Sequence, residues 1–385
     1  PVNIEIIIAI FIGYLIYKKK IDALIPSIIA LIILYLFIWI GSNNPISLKI
    51  FGVESNNIKH TWIILLFIYS AIASLIPVWL LLQPRDYINS HQLIVGLGLI
   101  FLSIFIARPD IIAPAVTNID SGPPMIPFLF VTIACGAISG FHGLVSSGTT
   151  SKQVNKMSDA RMIGYGATLG EGSLALAATI AAVAGISFIN TGENFCLPWS
   201  CGFKGANPLD TFVLGSSGLL QQIGISESIS ITLIVVLIVS FAATTLDSAT
   251  RIQRYIITEF GSATKIKLLK NKYLATLISI IPAYFITVND DLRNNLWTTF
   301  GASNQMLAAL TLMILSIYFW EKRKNILPLV IPMLLIMIIT ISALFIKFDN
   351  SSNNMLLFIN GTLIFLIFWM IIEGILHIKN NIKNE

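Results

Sequence analysis

The sequence predicts an all-α polytopic membrane protein of about eleven transmembrane helices, at least one of them discontinuous. Three observations predict it. The 385 residues are 56% hydrophobic and 11% charged, with a mean hydropathy of +0.84. That is more apolar surface than a soluble domain can bury, so the excess faces lipid. The apolar residues gather in runs long enough to cross a hydrocarbon core about 30 Å thick. The basic residues between those runs lie mostly in alternate connections, as the positive-inside rule requires. The net charge of +5 is accounted for by these connections and carries no nucleic-acid signal. Residues 1–385 read as a single transmembrane domain.

The runs, in order, are 2–17, 24–40, 61–82, 92–107, 126–145, 162–186, 228–249, 273–288, 296–320, 326–346 and 354–376. The first, fourth and eighth are the shortest. Taking the segment with Lys18, Lys19 and Lys20 as cytoplasmic puts Arg85, Lys152, Lys156, Arg161 and the basic clusters 251–272, 322–324 and 379–383 on the same side. Eighteen basic residues then lie inside and six outside. Adding or removing one central run would destroy this asymmetry. It places the C-terminus in the cytoplasm and residue 1 on the outer side. The chain opens "PVNIE", with no Met and no basic leader, and so reads as an internal starting point rather than a signal peptide. The longer outer connections, about 41–60 and 187–227, have room for short surface helices. The second holds Cys196 and Cys201 in "FCLPWSCGF". Two free thiols and a disulfide both fit, and an outer location lets a disulfide persist.

Polar residues inside the runs need individual explanations, since each is costly in lipid unless it faces a partner or a cavity. The fifth run contains "ACGAISGFHGLVSSGTT", with Gly136, Gly140 and Gly143 around Ser139 and His142. Two readings fit. One is a close helix–helix contact with His142 hydrogen-bonded inside the protein. The other is a broken helix whose freed backbone and His142 line a site. Ser146, Ser147 and Thr149 suit either a capped loop or a group of donors for an anion. Glu171 lies ten residues into its run, about 15 Å deep at 1.5 Å per residue, among small neighbours. It is either protonated, paired or part of a coupling-ion site. Asp247 and Arg251 are spaced i, i+4, as in an ion pair at the cytoplasmic edge, with Thr244, Thr245 and Ser248 as further oxygens. Asn304 and Gln305 suit helix–helix hydrogen bonding or substrate binding. Arg85 and Asp86 read as part of an inner loop. No metal-ligand spacing is present. Ser139 and His142 lack the strained turn of a nucleophile, so no enzyme and no cofactor are expected.

Five blocks together resemble the carbon starvation protein family, CstA: "SLIPVWLLLQPRDYI", "FLFVTIACGAISGFHGLVSSGTTSKQ", "ARMIGYGATLGEGSLA", "TTLDSATRIQRYI" and "FGASNQMLAALTL". They occur in the family's order over about 61–312. The resemblance implies a bacterial inner-membrane transporter of peptides or pyruvate used in carbon starvation, with protons as the coupling ion for pyruvate. It also implies a relation to the amino acid–polyamine–organocation architecture. Family members usually begin with further spans, which implies an N-terminally truncated member. Where the family often reads "GYGAMLMES", this chain reads "GYGATLGEGS", keeping Glu171 and replacing bulky neighbours with Thr168 and Gly170.

The expected function is therefore a secondary active transporter, a proton symporter for a peptide or pyruvate, built around the fifth and sixth runs. Gly136, Ser139, Gly140, Ser146, Ser147, Thr149, Asn304 and Gln305 are expected at the substrate, and His142, Glu171 and Asp247 at the coupling ion. The partners are then the substrate, the proton and the bilayer. The alternatives are a membrane metabolite sensor acting through a partner protein, against which the absence of a sizeable soluble segment argues, and an inactive truncated product.

Overall fold

The computed structural model describes residues 2–44, 52, 54, 57–115, 125–189, 197, 199, 207–349 and 354–384. Cys196 and Cys201 lie outside these residues. The described residues form thirteen α-helices: α1 (Val2–Lys19), α2 (Leu24–Asn43), α3 (Ile58–Leu75), α4 (Leu82–Ala107), α5 (Met125–Ala137), α6 (Gly140–Gly148), α7 (Asp159–Val183), α8 (Pro208–Gln222), α9 (Glu227–Ala263), α10 (Lys272–Val288), α11 (Asp290–Glu321), α12 (Leu327–Asp349) and α13 (Asn354–Asn384). The protein is thus a polytopic, all-helical membrane protein.

Each of the eleven apolar runs corresponds to a helix or, for the fifth, to the pair α5 and α6. Among the described residues nine segments are long and apolar enough to cross a membrane, with 125–152 counted as one. Of the other two, α10 is too short at 17 residues, and α1 carries Glu5, Lys18 and Lys19 in its 18 residues.

Three boundaries differ from expectation for identifiable reasons. Helix α3 stops at Leu75 rather than near 82. Pro77 follows and pushes Ile76 into an extended conformation (φ −67°, ψ 143°), as expected for a residue before proline. Helix α4 starts at Leu82, ten residues early, so Arg85 and Asp86 lie in its first turns rather than in an inner loop. Helix α9 runs unbroken for 37 residues, about 55 Å at 1.5 Å per residue, and takes in Arg251 and Arg254. The second long connection also differs, because α8 is a core element and not a surface helix. Its Leu219 and Leu220 are fully buried, and its N-terminus is closed by Asn207, which accepts from the Leu209 N–H.

The chain divides into two compact units. The first comprises 1–122 and 155–284, and the second 123–154 and 285–385, with the boundary inside α10. Two apolar clusters hold the first unit. One joins Ala9, Ala30, Ala73 and Ile88 from α1, α2, α3 and α4. The other joins Leu34, Ile100, Ala181, Leu219 and Ile234 from α2, α4, α7, α8 and α9. In the second unit Ala302, Leu344 and Ile367 join α11, α12 and α13, and Ala309, Ile336 and Met370 form a second layer on the same three helices.

Candidate functional site

In the first unit the polar centre is ionic. Arg85 of α4 is wholly buried, and its guanidinium is held by two carboxylates. Its Nε lies 2.9 Å from Glu5 Oε1 of α1, and its Nη1 lies 3.0 Å from Asp247 Oδ2 of α9. Tyr69 of α3 accepts from the same Nη1 and donates to Asp247 Oδ2 at 2.6 Å. Ser240 of α9 donates to Glu5 Oε2 at 2.6 Å. Four helices thus contribute to one buried cluster with two negative groups and one positive. A buried pair lacking one partner is strongly destabilising, by about 3–5 kcal/mol, so the cluster ties these helices into one arrangement.

Arg251 does not pair with Asp247 as its i, i+4 spacing suggested. It donates from Nη2 to the carbonyls of Ala73 and Ile76, both at 2.7 Å, and Arg254 donates to Ser74 O at 2.9 Å. These are carbonyls at the C-terminal end of α3, which have no partner within their own helix. Positive groups there also complement the helix dipole.

In the second unit the polar centre is neutral and sits at a break in a span. Helix α5 ends at Ala137 and α6 begins at Gly140, with Ser139 extended between them (φ −92°, ψ 124°). Asn304 of α11 serves both ends. Its Oδ1 accepts from the Phe141 N–H at 2.9 Å and from the Ser139 hydroxyl at 3.2 Å, and its Nδ2 donates to Cys135 O at 3.5 Å and Cys135 Sγ at 3.3 Å. Gln305 donates to Val131 O at 2.6 Å and accepts from Thr340 of α12 at 2.9 Å. Gly140 permits this docking. A Cβ there would lie 2.3 Å from Asn304 O and 2.5 Å from Ala308 N, so only a residue without a side chain fits. One turn on, a Cβ at Gly143 would lie 2.7 Å from Thr311 Oγ1.

The break leaves backbone groups over. The Ile138 N–H takes the Ala134 carbonyl at 2.8 Å and Asn304 reaches that of Cys135. The carbonyls of Gly136 and Ala137, both exposed, accept no hydrogen bond among the described residues.

The expected site residues divide between the units. Gly136, Ser139, Gly140, His142, Ser146, Ser147, Thr149, Asn304 and Gln305 are in the second, and Glu171 and Asp247 in the first. Ser139, Gly140, Asn304 and Gln305 are brought together at the break. Asn304 and Gln305 are 3% and 0% exposed and engage backbone. His142 is exposed on α6, its ring 6.3 Å from that of Phe141, and has no hydrogen-bond partner among the described residues. Ser146 and Ser147 donate to Gly143 O and Leu144 O within α6, and Thr149 caps its C-terminal end through Val145 O. Gly136 and the glycines around Glu171 (Gly164, Gly166, Gly170, Gly172) meet nothing within 4 Å of a built Cβ. Glu171 is exposed and unpaired among the described residues. Among the described residues no three His, Cys, Asp or Glu side chains gather as a metal site.

Glu5, Tyr69 and Arg85 were missed by sequence reasoning. A usable signal was present: Arg85, Asn89 and Gln92 recur at i, i+4 and i+7, one face of a helix. Starting the fourth run at residue 92 concealed it.

The profile of the family described as Carbon starvation protein CstA matches residues 1–195 and 200–343. Among curated relatives, the peptide transporter CstA of Helicobacter pylori is 30% identical, over 91% of this chain and 59% of the relative. The peptide transporter CstA of Bacillus subtilis is also 30% identical, over 86% of this chain and 61% of the relative. The pyruvate/proton symporter BtsT of Escherichia coli is 46% identical over 34% of this chain and 18% of its own length. This chain therefore spans about three-fifths of the CstA relatives' length. No solved structure matches it. With five motif blocks in order and a family match over nearly the whole chain, the protein belongs to the CstA carbon starvation protein family.

Proposed function

We propose that this chain is the membrane part of a secondary active transporter that takes up a short peptide or pyruvate together with a proton, under carbon starvation. It would lie in the bacterial inner membrane with its C-terminus cytoplasmic, as the loop charges predict. Family membership and the relatives' transporter names support the transport class. The observation that carries the reading is the interrupted span. The exposed Gly136 and Ala137 carbonyls lie where lipid cannot satisfy them, and irregular backbone at that depth is tolerated only where it lines a cavity or is covered by protein. Unwound carbonyls in transporters hold cationic groups, and half-helix N-termini hold anionic ones.

In this reading Gly136, Ser139 and His142 face the solute. Asn304, Gln305 and Gly140 hold the break open from behind. Ser146, Ser147 and Thr149 form the far end of α6. Glu171, His142 and Asp247 are the proton-carrying candidates.

The test is uptake into proteoliposomes, comparing labelled pyruvate with di- and tripeptides, with and without an inward proton gradient. Accumulation of one of these, raised by the gradient, is expected. No movement of either solute, or movement indifferent to the gradient, overturns the reading.

A further inference from the structure

The first unit holds a second set of polar atoms that the ionic cluster does not use. On α4, Arg85, Asn89, Gln92 and Gly96 share one face. On α9, Leu237, Ser240, Thr244 and Asp247 share another. The faces meet at both ends. Arg85 pairs with Asp247, and a Cβ on Gly96 would lie 2.5 Å from Leu237 Cδ1. The two stretches measure about 16 and 15 Å at 1.5 Å per residue, so the helices run side by side in opposite directions. Asn89 and Gln92 therefore lie along the same seam as Ser240 and Thr244. Glu5 closes it from α1, bonded to Arg85 on one side and to Ser240 on the other.

Asn89 and Gln92 are each 1% exposed, yet none of their four amide atoms has a hydrogen-bond partner among the described residues. The same holds for Arg85 Nη2 and Asp247 Oδ1. Buried polar atoms are, with few exceptions, hydrogen-bonded. These six include both donors and acceptors. A metal cation would satisfy only the acceptors, and an anion only the donors. Water satisfies both, and buried water typically makes two to four such bonds.

The charges are also uneven. With both carboxylates ionised, Glu5, Asp247 and Arg85 sum to one negative charge. Three of the four carboxylate oxygens accept from protein donors, and Asp247 Oδ1 alone does not. The other charged or titratable groups at Asp247 are Tyr69 from α3, already donating to Oδ2, and Arg251 on α9 itself, turned to the α3 carbonyls. Asp86, the next residue of α4, also interacts electrostatically with Arg85, Asp247 and Glu5, but its side chain is exposed and makes no ion pair with them.

We propose that the α4–α9 seam is an internal water-bearing path, and that Asp247 Oδ1 is where it delivers a proton. A hydronium in the seam gives up one proton to Oδ1. The new O–H bond forms on the carboxyl group and a water molecule remains behind. The cluster passes from one net negative charge to none, and release runs the same step in reverse. Arg85 remains the fixed counter-charge. Calling this the coupling proton rests on the transporter reading; the proton site and the water path do not.

The test is infrared spectroscopy of the full chain in lipid vesicles, as a pH titration in light and heavy water, which needs no substrate. A carbonyl band of a protonated buried carboxylic acid is expected to grow on acidification and to shift in heavy water. It should vanish in Asp247→Asn, whereas in Glu5→Gln, where Arg85 and Asp247 already balance, it should grow in only at a lower pH. Asp247→Asn copies the neutral, protonated cluster in shape and charge, so it should fold. Asn89→Leu with Gln92→Leu should leave the band but slow its exchange in heavy water at least tenfold. A band that survives in Asp247→Asn, one that does not move in Glu5→Gln, or no titrating band at all overturns the proton site. Unchanged exchange in the double leucine variant overturns the water path. If uptake fails while the band titrates as described, it is the transporter reading that falls.

Discussion

Arg85 in the first unit is held by carboxylates from two other helices, whereas Asn304 and Gln305 in the second join α5, α6, α11 and α12 without any charge. Both arrangements pin helices together through buried polar side chains. Their physical consequences differ. Carboxamides fix geometry and do not titrate. A buried cluster with one ionised carboxylate in excess is neutralised when it takes up a proton. The second unit is therefore organised to hold a backbone shape, and the first to hold a charge state.

The largest test of this contrast is Arg85→Met. It leaves Glu5 and Asp247 buried and unpaired, and should cost about 3–5 kcal/mol, read as loss of folded protein or a steep fall in thermal midpoint in detergent. Adding Glu5→Gln and Asp247→Asn to the same chain should restore much of that, because the uncompensated charges are then gone. Failure of the triple variant to recover would mean that the arginine acts by packing rather than charge. The intermediate test is Asn304→Leu. It uncaps the Phe141 N–H and the Cys135 carbonyl, and should cost about 1–3 kcal/mol with no dependence on pH. A pH-dependent loss there would erase the distinction between the units. The smallest is Glu171→Gln. Glu171 is exposed and unpaired among the described residues, so the change should stay within about 0.5 kcal/mol. Gradient-driven uptake should nonetheless fall if the residue carries protons. Unchanged uptake removes it from the mechanism.

The legible parts of the fold were those set by local composition. Each long apolar run between basic connections proved helical, and the glycines around Ser139 made a break one of two readings of the fifth run. The misplaced parts were those where charge was taken as a boundary. Arg85 was assigned to a loop because a lone arginine is costly in lipid, yet Glu5 and Asp247, 80 and 162 residues away in sequence, remove that cost. Asp247 and Arg251 looked like each other's partners from helical spacing. In the fold each has a better one, Arg85 for the first and the end of α3 for the second. Glu171 shows the opposite case, since a partner was one reading of its carboxylate and it is exposed and unpaired among the described residues.

The sequence by itself determined that this chain is a bundle of membrane helices of the CstA family, and marked the fifth run as a candidate for interruption, because hydrophobic length, loop charge and glycine placement are properties of neighbours along the chain. Only the tertiary structure decided that Asn304 bridges the two ends of that span, and that Glu5, Arg85 and Asp247 form one buried cluster in which Asp247 Oδ1 has no partner among the described residues. Those facts depend on which helix lies beside which, and a one-dimensional pattern does not carry that information.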